Sequence, residues 1–182
     1  MLSAVLIAWM LIGWQKAAVG ALSRETQEYS IVGDLQGHQQ QPCVAFGGKG
    51  GFLVWHHESG QQGSSGRLVI QSLTPGMMGV GLPSPLSHSP EGTQEAHPQI
   101  ALLKDGGAVV AWEAGPRNGR DVKVRFLSSS GLFASTEITA NEKIAGDQFQ
   151  PAVAVLTRGM VVVAWTSVGQ DSSGNGIYAQ RF

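Results

Sequence analysis

Polar and apolar positions recur along the chain in one order. A polar residue and a proline open a short run of small apolar residues. A glycine-containing turn follows, then a second run that is apolar throughout and ends on tryptophan. The first copy runs from Pro42-Cys43-Val44-Ala45-Phe46 to Phe52-Leu53-Val54-Trp55. The second runs from Pro98-Gln99-Ile100-Ala101-Leu102 to Val109-Val110-Ala111-Trp112, and the third from Pro151-Ala152-Val153-Ala154-Val155 to Val161-Val162-Val163-Ala164-Trp165. The prolines stand 56 and then 53 residues apart. A period of this size marks stacked supersecondary units.

The short runs predict strands. Proline is acceptable where a strand begins, because the ladder does not yet need its missing N–H. Asp105-Gly106-Gly107 signals a hairpin turn, since glycine tolerates positive φ. The second strand of each unit does not alternate. A strand with one wet face should alternate, so a run apolar on both sides predicts cover on both faces. Sheets stacked around an axis meet that demand, as in a β-propeller. A third, more alternating strand is expected at Leu68–Leu73, Val122–Phe126 and Ile177–Phe182. A fourth is expected at Ser135–Thr139. Its counterpart in the first unit should be poor, because Pro83, Pro85 and Pro90 crowd that region.

The predicted fold is therefore all-β: a propeller-like array of three four-stranded antiparallel units. The repeats fall at about residues 37–92, 93–145 and 146–182, with 28–35 added to the last. Glu28 precedes Pro42 by the same interval as Glu137 precedes Pro151, so Glu28–Val32 reads as an outer strand that completes the last unit. A compact three-fold β arrangement resembling a prism, or a six-bladed ring made of two chains, would satisfy the same pattern.

Composition narrows the class. Charged residues make up only 14% of the chain and glycine contributes 25 residues, which suits short strands and many turns better than amphipathic helices. The net charge of −1 and the lack of a basic run leave no footprint for nucleic acid. Residues 2–14 are almost wholly apolar, and small residues follow through Val19-Gly20-Ala21. Residues 1–21 read as a signal peptide, or otherwise an N-terminal anchor, leaving 22–182 as the β-repeat domain. The single cysteine, Cys43, permits no internal disulfide.

The Gln-x-x-Pro-x-Val-Ala and Val-Val-Val-x-Trp runs, followed by Gly169 through Gly176-Ile177-Tyr178-Ala179-Gln180-Arg181-Phe182, resemble a tandem repeat of large secreted and surface bacterial proteins. The likeness covers roughly residues 28–182 and is strongest in the third copy. The second copy has Gly115-Pro116-Arg117 in the corresponding loop, and the first has Gln62 where the third has Asp171. The resemblance implies propeller-like folding beside calcium-binding or adhesin modules. It transfers no enzymatic residues.

Candidate chemistry is sparse. Asp171, Ser173 and Asn175 place oxygens at positions 1, 3 and 5 of a loop with glycine at 6, the spacing of a calcium loop. Position 12 is Phe182 rather than glutamate, so a polar turn is the favoured reading. His56-His57-Glu58 is the densest titratable run but lacks metal-site spacing, and it reads as a solvated strand end. His97 is expected to bond backbone. Trp55, Trp112 and Trp165 are expected in the core rather than on sugars. No nucleophile elbow, phosphate loop or paired-carboxylate motif is present. The sequence points to an exported, non-catalytic module at the cell surface or secreted, for adhesion, ligand binding or display. Its partner would be an extracellular ligand or surface polymer, with self-association open and calcium the one candidate cofactor. A carbohydrate-binding propeller and a partial glycoside-processing enzyme are the alternatives.

Overall fold

The computed structural model describes residues 26–60, 66–90, 93–143 and 145–182. The apolar segment at residues 2–14 and the expected cleavage point after Ala21 lie outside them. Eleven strands, and no helix, occur among the described residues. The first sheet holds β1 (His38–Gly47), β2 (Gly50–Glu58), β3 (Arg67–Leu73) and β4 (Gly79–Pro85), each paired antiparallel with the next. The second holds β5 (Glu95–Leu102), β6 (Ala108–Ala114), β7 (Asp121–Leu127) and β8 (Ile138–Thr139) in the same order. The third holds β9 (Gln148–Val155), β10 (Val161–Val168) and β11 (Asn175–Arg181). First strands adjoin first strands: β1 lies beside β5, and β5 beside β9. The three sheets therefore form a propeller-like arc whose inner edge is β1, β5 and β9.

The tryptophans explain how the sheets stack. Trp112 packs against Phe52, Val54, Leu68 and Ile70 of the first unit. Trp165 packs with Val109, Ala111, Val122 and Val124 of the second. Trp112 and Trp165 each face the unit before them, and all three tryptophans are buried. Burial on this scale, at about 25 cal/mol per Å² of apolar area, is what holds one sheet on the next.

Among the described residues no unit precedes Trp55. Its partners are Ile31, Val32 and Leu35, which cover Trp55, Leu53, Val69 and Leu73. This corrects the expectation for Glu28–Val32. The segment forms no strand and does not complete the last unit, which keeps three strands with β11 at its edge. Covering an apolar sheet face outweighs a few edge hydrogen bonds, each worth about 1 kcal/mol net.

Cover on both faces holds for the middle unit and for Phe52–Trp55 of the first, but not for the third. Every residue of β6 is buried, because units one and three flank it. In β10 burial alternates, and the outward face of the third sheet leaves Ala152, Ala154 and Ile177 exposed. The arc is open at that side, which excludes a closed three-fold prism.

The outer strands reverse the expectation. The proline-rich β4 has seven residues, whereas the fourth strand expected at Ser135–Thr139 is only Ile138–Thr139. The Leu86 N–H donates to the Leu68 carbonyl at 2.9 Å. Backbone N–H direction alternates along a strand, so the ring nitrogens of Pro83 and Pro85 point away from β3, where no donor is needed.

Candidate functional site

The inner strands share a defect. Register slips in β1 between Gln40 and Cys43, and in β5 between Ala96 and Gln99. In β9 it slips opposite Ala164 and Thr166. Each slip falls on the residue before the repeat proline. Gln41, His97 and Gln150 have φ of 54°, 52° and 53°. A left-handed conformation costs a non-glycine residue roughly 1–2 kcal/mol. The proline that follows disfavours the right-handed helical alternative and cannot donate to the ladder, so the bulge settles there. A bulge re-aims its side chain. Because the inner strands adjoin, the three side chains emerge exposed at one end of the arc.

They are tied together. The Gln41 Oε1 accepts the His97 N–H at 2.7 Å. The His97 Nδ1 lies 2.9 Å from the Glu113 Oε1, which also accepts the Gln150 N–H at 2.8 Å. One carboxylate oxygen of the second unit therefore joins His97 to the third unit. The other oxygen, Oε2, accepts from the Arg120 Nη1 at 2.7 Å. The Arg120 Nη2 donates to the Asp147 Oδ2 at 2.8 Å, and its guanidinium lies 5.1 Å from the centre of the Phe149 ring. Donating this hydrogen bond to Asp147 raises the Arg120 pKa, and accepting it holds the Asp147 carboxyl below its ordinary value.

Exposure separates roles within this cluster. The Glu113 side chain is 2% exposed and that of His97 is 55% exposed. Glu113 is held by His97 and Arg120 of the second unit and the Gln150 N–H of the third, and acts as a brace. A carboxylate only accepts, so the His97 Nδ1 carries the shared proton and Nε2 is the ring's remaining polar atom. The mouth thus presents imidazole and amide groups, which both donate and accept, on a rigid base.

The residues singled out from sequence stand elsewhere. The Asp171 Oδ1 accepts from the Ser173 N–H at 3.0 Å and from its hydroxyl at 2.8 Å. Those bonds lower the Asp171 pKa and close a local turn. Asn175 opens β11 opposite Val168. Among the described residues no group of three His, Cys, Asp or Glu side chains is placed to hold a metal ion. His56, His57 and Glu58 end β2, but His56 is not solvated as expected; its side chain is 12% exposed and its Nδ1 lies 3.7 Å from the Glu58 Oε1. Cys43 is half-buried against the cluster between the first two units. The imidazole of His97 pairs with a carboxylate, not with backbone. Sequence reading passed over Glu113, Arg120 and Asp147. A signal existed: Glu113 directly follows Trp112 in a run otherwise wholly apolar, where a charge requires a partner.

No family model matches the chain, and no curated protein matches its sequence. Solved structures do share its fold. A thermostable family-43 glycoside hydrolase superposes with a TM-score of 0.53 at 9% identity, covering 79% of this chain and 54% of that one. An endo-1,4-beta-xylanase from Bacteroides thetaiotaomicron VPI-5482 superposes with a TM-score of 0.50 at 10% identity, covering 87% of this chain and 58% of that one. This chain spans a little over half the length of those proteins. At such identities the likeness is one of architecture, the all-β, propeller-like fold derived above.

Proposed function

We propose that the chain is a carbohydrate-binding propeller module of an exported protein, engaging oligosaccharide hydroxyls at the mouth formed by Gln41, His97 and Gln150. The observation that carries this reading is the gathering of three repeat-equivalent, exposed polar residues at one end of the arc, with Gln41 bonded to the His97 backbone and with His97 and Gln150 sharing one oxygen of buried Glu113. Amides and imidazole are matched to hydroxyls, which also donate and accept. The fold supports the ligand class, because the similar structures named above include enzymes that act on glycans. Binding is preferred to hydrolysis on geometric grounds. Glycoside hydrolysis needs two carboxyl groups free to act on the substrate, about 5–9.5 Å apart. Glu113 and Asp147 are the carboxylates of this cluster, and Arg120 clamps both.

The likeness to glycoside hydrolases keeps glycoside processing as the second reading, and one experiment separates the two. The folded protein is titrated with xylo- and arabino-oligosaccharides by calorimetry, and the same mixtures are assayed for new reducing ends. Binding without new reducing ends is expected, and His97→Ala or Gln150→Ala should each weaken it about tenfold, near 1.4 kcal/mol. Absence of binding across a broad glycan array would sink the proposal. Release of reducing ends that Glu113→Gln abolishes would establish the enzyme instead.

A further inference from the structure

A second recess lies at the opposite end of the strands, between the first and second units. It encloses about 630 Å³. That is within the range of small-molecule sites, about 300–1,000 Å³. Its origin can be traced to one residue. Phe126 of β7 stands opposite Val109 and meets Phe182 edge-to-face, with ring centres 6.2 Å apart, closing the junction of units two and three. The equivalent residue of β3 is Ser72, opposite Phe52. With a hydroxymethyl in place of a phenyl ring, the junction of units one and two stays open. The glycine turn that begins at Gly47 adds to the space. On the far wall Gly131 has φ of 80°, and a Cβ there would lie 2.5 Å from the Ser72 Oγ, so the wall is shaped around the serine.

The lining has a definite chemistry. Phe52, Val80 and Leu102 give an apolar floor, and Ser72, Ser129 and Ser130 supply hydroxyls. Lys49 and Lys104 stand at the rim from two different units. Among the described residues no hydrogen bond or ion pair engages either ammonium group. The one carboxylate there, Asp105, turns its Oδ1 to the Gly107 N–H at 2.9 Å and caps its own hairpin. The recess therefore carries excess positive charge over an apolar floor flanked by hydroxyls.

We propose that this recess is a second ligand site, separate from the mouth, that takes an acidic oligosaccharide: the sugar ring lies on the apolar floor and its carboxylate meets Lys49 and Lys104. The proposal does not depend on the reading of the mouth. The probe is trigalacturonate, with neutral galactotriose as its control, titrated into the whole protein at low and high salt. Trigalacturonate should bind, weaken as salt rises, and exceed galactotriose by at least about tenfold. Ser72→Phe, which installs the residue found at the sister junction, should abolish binding. Because the Gly131 wall approaches Ser72 closely, the double variant Lys49→Gln with Lys104→Gln provides a second test. It should bind at least about tenfold more weakly and lose its salt dependence. His97→Ala should leave trigalacturonate binding unchanged, which separates this site from the mouth. No binding up to about 10 mM, equal affinity for galactotriose, or unaltered binding by the double lysine variant would each overturn the proposal.

Discussion

Replacing Glu113 by alanine tests whether this carboxylate braces the junction of the second and third units. The Gln150 N–H loses its acceptor, and the Arg120 Nη1 loses one of two carboxylate partners. A charge-assisted hydrogen bond contributes about 1.5–3 kcal/mol. The lower end applies here, because Arg120 keeps Asp147 and its side chain is 26% exposed. The Gln150 N–H lies near solvent and adds about 1 kcal/mol. The His97 contact is half-exposed and contributes well under about 1 kcal/mol. Relief from burying a carboxylate offsets part of the total, so the net cost is about 2–3 kcal/mol. For a chain of this size that corresponds to a fall in melting temperature of roughly 5–10 °C. Glu113→Gln keeps an oxygen for the Gln150 N–H and loses only the charge, so its cost is about 1 kcal/mol. Urea unfolding followed by tryptophan fluorescence reads both variants, since Trp165 lies in the core at that junction. The reasoning fails if Glu113→Ala unfolds at the wild-type urea concentration, or if the two variants are equally destabilised.

Two further expectations concern carboxylates. Arg120 holds the Asp147 carboxyl below its ordinary value, so the unfolded chain takes up this proton before the folded one does. The stabilisation is present above the unfolded value of about 3.9 and is lost as pH falls below it through the folded value. Melting temperatures measured downward from neutral pH should drop less steeply below about pH 4 in Asp147→Asn than in the wild type; matching slopes would contradict the pairing. The Asp171 loop is satisfied by its own Ser173 bonds, so millimolar calcium should leave the melting temperature unchanged, and a calcium-dependent rise lost in Asp171→Ala would restore the calcium reading.

The fold was more legible in the sequence than the site, for identifiable reasons. Strand order within a unit follows from local signals: a proline that opens β1, β5 and β9, a glycine turn, and an apolar run ending on tryptophan. Asp105-Gly106-Gly107 forms the expected turn, with the Gly106 N–H donating to the Leu103 carbonyl at 3.1 Å. What failed depended on contacts between distant segments. Ile31, Val32 and Leu35 could pair at a strand edge or cover a sheet face, and their pattern alone does not choose. The proline content of β4 suggested disorder in the ladder, but at alternate positions on an edge prolines cost nothing. The site was obscured differently. Asp171 and His56 attracted attention because their neighbours in sequence are polar. Glu113, Arg120 and Asp147 meet only after the second and third sheets have stacked, and neither Arg120 nor Asp147 stands out in its own loop.

The bulges show how this fold separates support from recognition. Proline and the slipped register fix the backbone at positions 41, 97 and 150, and φ differs by only 2° among them although two are glutamine and one is histidine. The side chain is exposed and meets no packing demand, so its identity changes the chemistry of the mouth with little effect on the sheets. Glu113 has the opposite situation. Its oxygens are filled by groups from the second and third units, and a substitution that removes both oxygens takes an acceptor from the Gln150 N–H and from Arg120. A residue that varies freely while its backbone stays strained is placed to face a ligand. A residue whose charge is already paired inside the junction is placed to hold the frame. On the carbohydrate-binding proposal, ligand specificity would reside in Gln41, His97 and Gln150, and the geometry that presents them in Glu113, Arg120 and Asp147.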